Sequence, residues 1–277
     1  MPGEPRTELA VTLRLIIAGS VVSLLCPATP CHSFADDTGH SGPERARQIW
    51  EQALVAKGGR DRLHAVRNMA VSSRWGYTTT SGKTNSVRQE QFFLFPNKYW
   101  FWNDLRPDVF GLRVEMYNYD ANLHYIATPD DPNAPSESII GTAKNPSLTN
   151  AQLFYLLESR WIKPVPLRAS EGRVGPRSVD IVETEVNGQR VDFAFDRESH
   201  LPIRISEFRN GEMRPFYVQY LSDYAEINGI KIPLQLSDNE ADRADRMTIQ
   251  INVDYDESVF VKPPPISAGP EAWRAKR

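Results

Sequence analysis

Residues 179–236 read VDIVETEVNGQRVDFAFDRESHLPIRISEFRNGEMRPFYVQYLSDYAEINGIKIPLQL, and the punctuation of that stretch decides the fold. It contains Asn187-Gly188, Asn210-Gly211 and Asn228-Gly229. Asn-Gly is the strongest short-range signal for a tight hairpin, because the favoured two-residue turn needs positive φ at both central positions. The spacing predicts four strands joined by three such turns, an antiparallel meander.

Alternation within the strands supports this. Phe193 and Phe195 face one way and Asp192 and Asp196 the other; Ile203 and Ile205 alternate with Arg204 and Ser206. Ile230, Ile232, Leu234 and Leu236 alternate with Lys231, Pro233 and Gln235, and Met247 to Tyr255 repeats the pattern. Side chains on a strand alternate faces with period two, so each strand has one apolar and one polar side. Pro202 and Pro233 fall inside strand patterns. Proline cannot donate to a ladder and favours edges, strand starts or bulges, which suits an incompletely closed barrel.

Upstream, Pro43 to Lys57 is predicted to be a helix. Ala46, Ile49, Trp50, Ala53 and Leu54 share one face, and Gly58-Gly59 stops it. A short turn from Arg60 to Val66 follows. Strand signals cover Met69–Thr79, Asn85–Phe95, Lys98–Asp104, Glu115–Tyr119 and Leu123–Ala127, with Ser81-Gly82 and Pro96-Asn97 as turns. Within them, Tyr99, Trp100, Phe101 and Trp102 make both faces aromatic. Either a helix or loop covers the second face, or it forms a lip that meets a ligand, membrane or partner. Thr128 to Ser147, rich in proline, reads as a long surface loop. A second helix, about Asn150 to Arg160, is apolar nearly all round at Leu153–Leu157, as a segment buried on several sides should be.

The predicted class is therefore mainly β with helices (α+β): an unclosed, curved antiparallel barrel of about ten or eleven strands, its concave apolar face partly covered by two helices. Residues 1–35 read as a cleaved secretory signal, because an apolar run from Leu15 to Leu25 precedes Ser33-Phe34-Ala35. Residues 36–43 read as a leader, 44–264 as one domain, and 265–277 as a flexible tail. Cys26 and Cys31 both lie in the expected signal, so the mature chain would hold no disulfide. The formal net charge of -3 argues against a nucleic-acid binder. Export and the absence of a later membrane-spanning run place the protein in the periplasm.

Chemistry is sparse by comparison. His40, His64, His124 and His200 are isolated, without the spacing of a metal site, and no cofactor motif occurs. Asp196, Glu198 and His200 sit at every-other positions, but no nucleophile motif accompanies them, and a solvated hairpin end is the simpler reading. The sequence carries no sign of an enzyme.

Several motifs together resemble a family. ARQIWEQALVAKGGRDRLHAVRNM (residues 46–69), FDRESHLPIRI (195–205), YLSDYAEINGIKIPLQL (220–236) and YDESVFVKP (255–263) are similar, in order and spacing, to motifs of the exported lipoprotein-carrier superfamily of the LolA/LolB type. The resemblance spans most of residues 45–264. It implies an unclosed barrel with helices over its open side, in proteins that handle acyl chains or lipidated proteins. The long proline-rich loop and the missing lipidation cysteine depart from that pattern.

The expected function is a periplasmic binding or carrier protein for a lipid, an acyl chain or a lipidated protein, with possible peripheral contact with the membrane or a membrane partner. By strand parity the apolar cavity would be lined by Trp75, Phe101, Phe193, Phe195, Ile203, Ile205, Ile249 and Ile251, with the helix near Phe154 and Leu157 as a plug or lid. Two alternatives stay open: an envelope regulatory or scaffold protein that binds another protein through its sheet, and an exported hydrolase of unrecognised type. A hollow filled by the protein's own side chains would favour the first of these.

Overall fold

The structure, a computed structural model, describes residues 42–78, 84–104, 106, 111–128, 131–139, 146–238, 246–262 and 264–275, without side chains at 75–78, 84–85 and 131–139. The expected signal, the leader as far as Ser41 with His40, and the Ser81-Gly82 turn lie outside these residues.

Helix α1 spans Pro43–Lys57, the predicted bounds. Proline suits the first turn, and Gly58 at φ 122 ends the helix. Helix α2 follows at Arg60–His64. Six strands then run in order: β1 (Asn68–Thr78), β2 (Thr84–Leu94), β3 (Lys98–Asp104), β4 (Leu112–Asn118), β5 (Leu123–Thr128) and β6 (Asp131–Ile139). β6 occupies part of the stretch expected to be a loop. Its backbone pairs with β5 despite two prolines, a position that only an edge strand tolerates. Helix α3 is short, Pro146–Ala151, and the chain continues as a π-helical turn from Gln152 to Leu156. The predicted second helix thus begins and ends earlier than expected.

The meander follows as β7 (Val165–Val174), β8 (Arg177–Val186), β9 (Gln189–Asp196), β10 (Pro202–Glu207), β11 (Tyr217–Ile227) and β12 (Ile230–Ser237), with β13 at Thr248–Ile251. The decisive stretch therefore holds five strands where four were expected. The difference lies at residues 197–201, where the Asp196 carboxylate accepts from the backbone N–H of Glu198 and Ser199 and closes a turn of its own. Asn187-Gly188 and Asn228-Gly229 have positive φ at both positions, as the tight turn demands. Asn210-Gly211 does not, and lies in the longer connection 208–216.

Two antiparallel sheets result. One runs β13-β1-β2-β3-β4-β5-β6 and the other β12-β11-β10-β9-β8-β7. They approach at β12 and β13, where Met247 N–H donates to Leu234 O at 2.8 Å. At the other end, between β6 and β7, the barrel is open. The connection holding α3 and the π-helical turn starts from this opening, and α1 packs across β7, β8 and β12. The architecture is an unclosed, curved β-barrel with helices in its opening.

The second aromatic face is covered, among the described residues, by the C-terminal stretch. Trp100 and Trp102 join Phe92, Val259, Phe260, Ile266 and Trp273 in a core of their own. Phe92 and Trp273 stack at 4.6 Å, 2° from parallel. The stretch expected to be a flexible tail is in this respect a packed cover, at least to Trp273. A large aromatic surface outside the sheet needed burial, and the last residues supply it.

Candidate functional site: a filled interior and a charged cleft

Six of the eight residues chosen by strand parity meet in one place. Phe101, Phe193, Phe195, Ile205, Ile249 and Ile251 are all buried in the core between the sheets, with Trp50 of α1 and with Phe154 and Leu157. The edge of the Trp50 indole meets Phe193 at 5.1 Å and Phe195 at 5.8 Å. Ile203 does not join them. It packs on the opposite face with Val174, Val179 and Ala194. The reason is a bulge: Pro202 pairs with Phe195, yet Arg204 pairs with Ala194, so the alternation slips by one residue at Ile203. Trp75 lies on β1 opposite Val87, and its side chain is outside the described residues.

The interior is filled by the protein's own side chains. Phe154, Tyr155, Leu156 and Leu157 are each fully buried. Yet this segment is irregular. The π-helical turn ends at Leu157, whose φ of 74 and ψ of -46 lie in a region that L residues rarely adopt. Polar groups travel inward with it. Gln152 donates to Leu148 O at 2.9 Å and accepts from Ser159 Oγ at 2.5 Å. Lys57 Nζ donates to Tyr155 O at 2.6 Å. The segment is a plug held by side-chain hydrogen bonds rather than by a regular helix. Sequence reading found its apolar run but not its backbone, because π turns have no compositional signature comparable to a cap or a tight turn.

Beyond Leu157, Glu158 anchors the plug to the helices. Its carboxylate accepts from Trp50 Nε1 at 3.1 Å, Arg60 Nε at 2.9 Å and His64 Nε2 at 2.8 Å. A carboxylate can only accept, so His64 carries its proton on Nε2. Burial alone would raise the Glu158 carboxyl, but the bonds from Arg60, Trp50 and His64 outweigh it and hold the group below the usual carboxylate range. Arg60 also pairs with Glu51 at 2.7 Å.

This network floors a cleft of about 520 Å³ between α1, α2 and the start of β7. Trp50 and Leu167 are among its apolar walls, and Arg47 and Lys163 bring positive charge. The other face of Trp50 packs on the core, so this side chain separates the cleft from the interior. Of its polar residues only His64 is singled out in the sequence, and only as an isolated histidine, because α1, α2 and residues 158–167 meet only in the fold.

Two more buried groups line the plug. Lys57 is fully buried and its amine is pushed down to about 7 by that burial. Glu207 is pushed up to about 7, again mainly by burial, against a lowering hydrogen bond with Asn150. On the first sheet, buried Glu115 gathers Arg113, His124 and the Tyr117 hydroxyl, the last at 2.6 Å. Asp196, Glu198 and His200 form the hairpin turn already described, with His200 at φ 57. Among the described residues, no three His, Cys, Asp or Glu side chains cluster as metal ligands would, and no helix is long and apolar enough to cross a membrane.

Neither a protein-family model nor a curated protein matches this chain. Solved structures do. A DUF1329 family protein from Desulfovibrio piger matches with a TM-score of 0.49 at 10% identity, over 79% of this chain and 98% of that one. A LolA superfamily protein from Nitrosomonas europaea matches with a TM-score of 0.48 at 10% identity, over 78% and 97%. A putative outer membrane lipoprotein-sorting protein domain from Vibrio parahaemolyticus gives 0.44 at 8% identity, over 79% and 97%. At TM-scores below 0.5 and identities of 8–10% these similarities assign neither a family nor a ligand to this chain.

Proposed function

We propose that the protein is an exported, periplasmic binding or carrier protein that takes a hydrophobic ligand between its two sheets. The ligand is a lipid, an acyl chain or the lipidated end of a protein. The observation that carries this reading is the plug: an apolar segment buried at the open side of the barrel, with Leu157 held at φ 74. Displacing it exchanges one apolar occupant for another, so the burial term of about 25 cal/mol per Å² is largely conserved. Release of the backbone at Leu157 adds on the order of 1–3 kcal/mol in favour of exchange. The ligand would then lie along Phe101, Phe193, Phe195, Ile205, Ile249 and Ile251, with Phe154 and Leu157 moved aside. Neither a cofactor nor a covalent step enters this reading. The resemblance of the sequence motifs to lipoprotein carriers supports it.

A second reading has its own support. The interior is already filled, as a protein-binding envelope module would have it. Native mass spectrometry of the purified mature protein, followed by organic extraction, separates the two. Near-stoichiometric fatty acid or phospholipid supports the binding protein. A clean apo mass that added acyl lipids leave unchanged overturns it and favours the protein-binding module.

A further inference from the structure

Lys57 is the last residue of α1, and its side chain is fully buried. Among the described residues its ammonium donates to one partner, the Tyr155 carbonyl of the plug at 2.6 Å, and it lies 5.2 Å from the centre of the Tyr224 ring. Among the described residues no carboxylate pairs with it. Burying an ammonium with so little compensation is costly, and the burial pulls its pKa to about 7. The position contrasts with Arg60, three residues on, which is exposed and paired with two carboxylates.

The Tyr155 carbonyl belongs to the segment that must move. When the plug leaves, the Tyr155 carbonyl goes with it, and the ammonium faces the vacated space. A ligand ending in a methyl group or a neutral hydroxyl would leave a cation poorly compensated in an apolar cavity. A ligand ending in an anion would complete a buried ion pair and restore the charge that burial suppresses. From this geometry we infer that the ligand is an acyl chain bearing an anionic oxygen group, a carboxylate or a phosphate, and that Lys57 is its counter-ion. The apolar chain runs on from there into the Phe193 and Phe195 cluster. This inference rests on the reading that the plug yields to a ligand.

Binding of oleate, oleyl phosphate and oleyl alcohol to the purified mature protein tests it. The wild type is expected to bind at least one of the two anions about tenfold or more tighter than the alcohol, a difference of about 1.4 kcal/mol. Preference for oleate points to a free fatty acid, and preference for oleyl phosphate to a phospholipid. In Lys57→Met the anions and the alcohol should converge, the alcohol binding at least as tightly as it does to the wild type. Equal affinities in the wild type overturn the assignment without recourse to any variant, as does an anion preference that survives in Lys57→Met. Binding of none of the three overturns the displacement reading itself, and the counter-ion role with it.

Discussion

The main-chain oxygen of Gly229 stands where a β-carbon on residue 58 would have to go: the two would be 2.2 Å apart. The end of α1 thus rests directly on the turn between β11 and β12. Arg62 closes the contact, donating from Nη1 to Gly58 O at 2.9 Å.

Gly58→Ala should therefore be severely destabilising. It meets a backbone clash and a φ of 122 together. The expected loss is about 3 kcal/mol or more in urea unfolding. Gly188→Ala, at φ 79 with open space around it, should cost only about 1 kcal/mol. Equal losses would mean that the helix does not sit on the turn.

Leu157 allows a test of the strain in the plug. Both Leu157→Ala and Leu157→Gly remove a buried side chain, at about 2–5 kcal/mol. Only glycine relaxes the backbone at φ 74. Leu157→Gly should be the more stable of the two by about 1 kcal/mol, the reverse of the usual order. Thermal or urea unfolding of the pair decides it.

Lys57 should make stability depend on pH. Its folded-state value of about 7 lies below the ordinary 10.5. Between these values the unfolded chain binds more protons, so stability rises with pH across the window. Below it the folded state carries the whole cost of the buried charge, on the order of 4 kcal/mol. Lys57→Met loses the bond to Tyr155, worth about 1 kcal/mol, and should be more stable than wild type by roughly 3 kcal/mol near pH 6. The gain should shrink steadily towards pH 10. A gain independent of pH would contradict a buried ammonium.

Glu158 acts in the same direction, in a lower pH window, but there it is the ionised form that the fold stabilises. Its carboxyl is held below the usual range by Arg60, Trp50 and His64 despite its burial. That stability is present above the ordinary carboxylate value and is lost as pH falls through the lowered one. Glu158→Gln should cost about 2 kcal/mol at neutral pH and lose much of that deficit in acid. Trp50 fluorescence would report the loosening of the cleft.

Much of the fold is legible in the sequence. Pro43 and Gly58 bracket α1 to the residue. Asn187-Gly188 and Asn228-Gly229 place two hairpins, and the parity of Phe193, Phe195 and Ile205 puts them in the core. Where local rules failed, a specific competitor had intervened. A bulge beside Pro202 turned Ile203 outward, and the side chain of Asp196 built a turn that no Asn-Gly announced. The Trp100 and Trp102 face found its cover in Trp273, well over a hundred residues away in the chain.

The class of architecture, the ends of the first helix and the inward side of most strand residues, though not of Ile203, are legible in the chain. Those properties follow from periodicity and turn chemistry, which act over a few residues. The tertiary structure alone decided that the hollow is filled, that Glu158 gathers Trp50, Arg60 and His64, and that Lys57 is buried against the plug. Each depends on segments about a hundred residues apart meeting within hydrogen-bond reach, and on whether a charge has water or carbon around it.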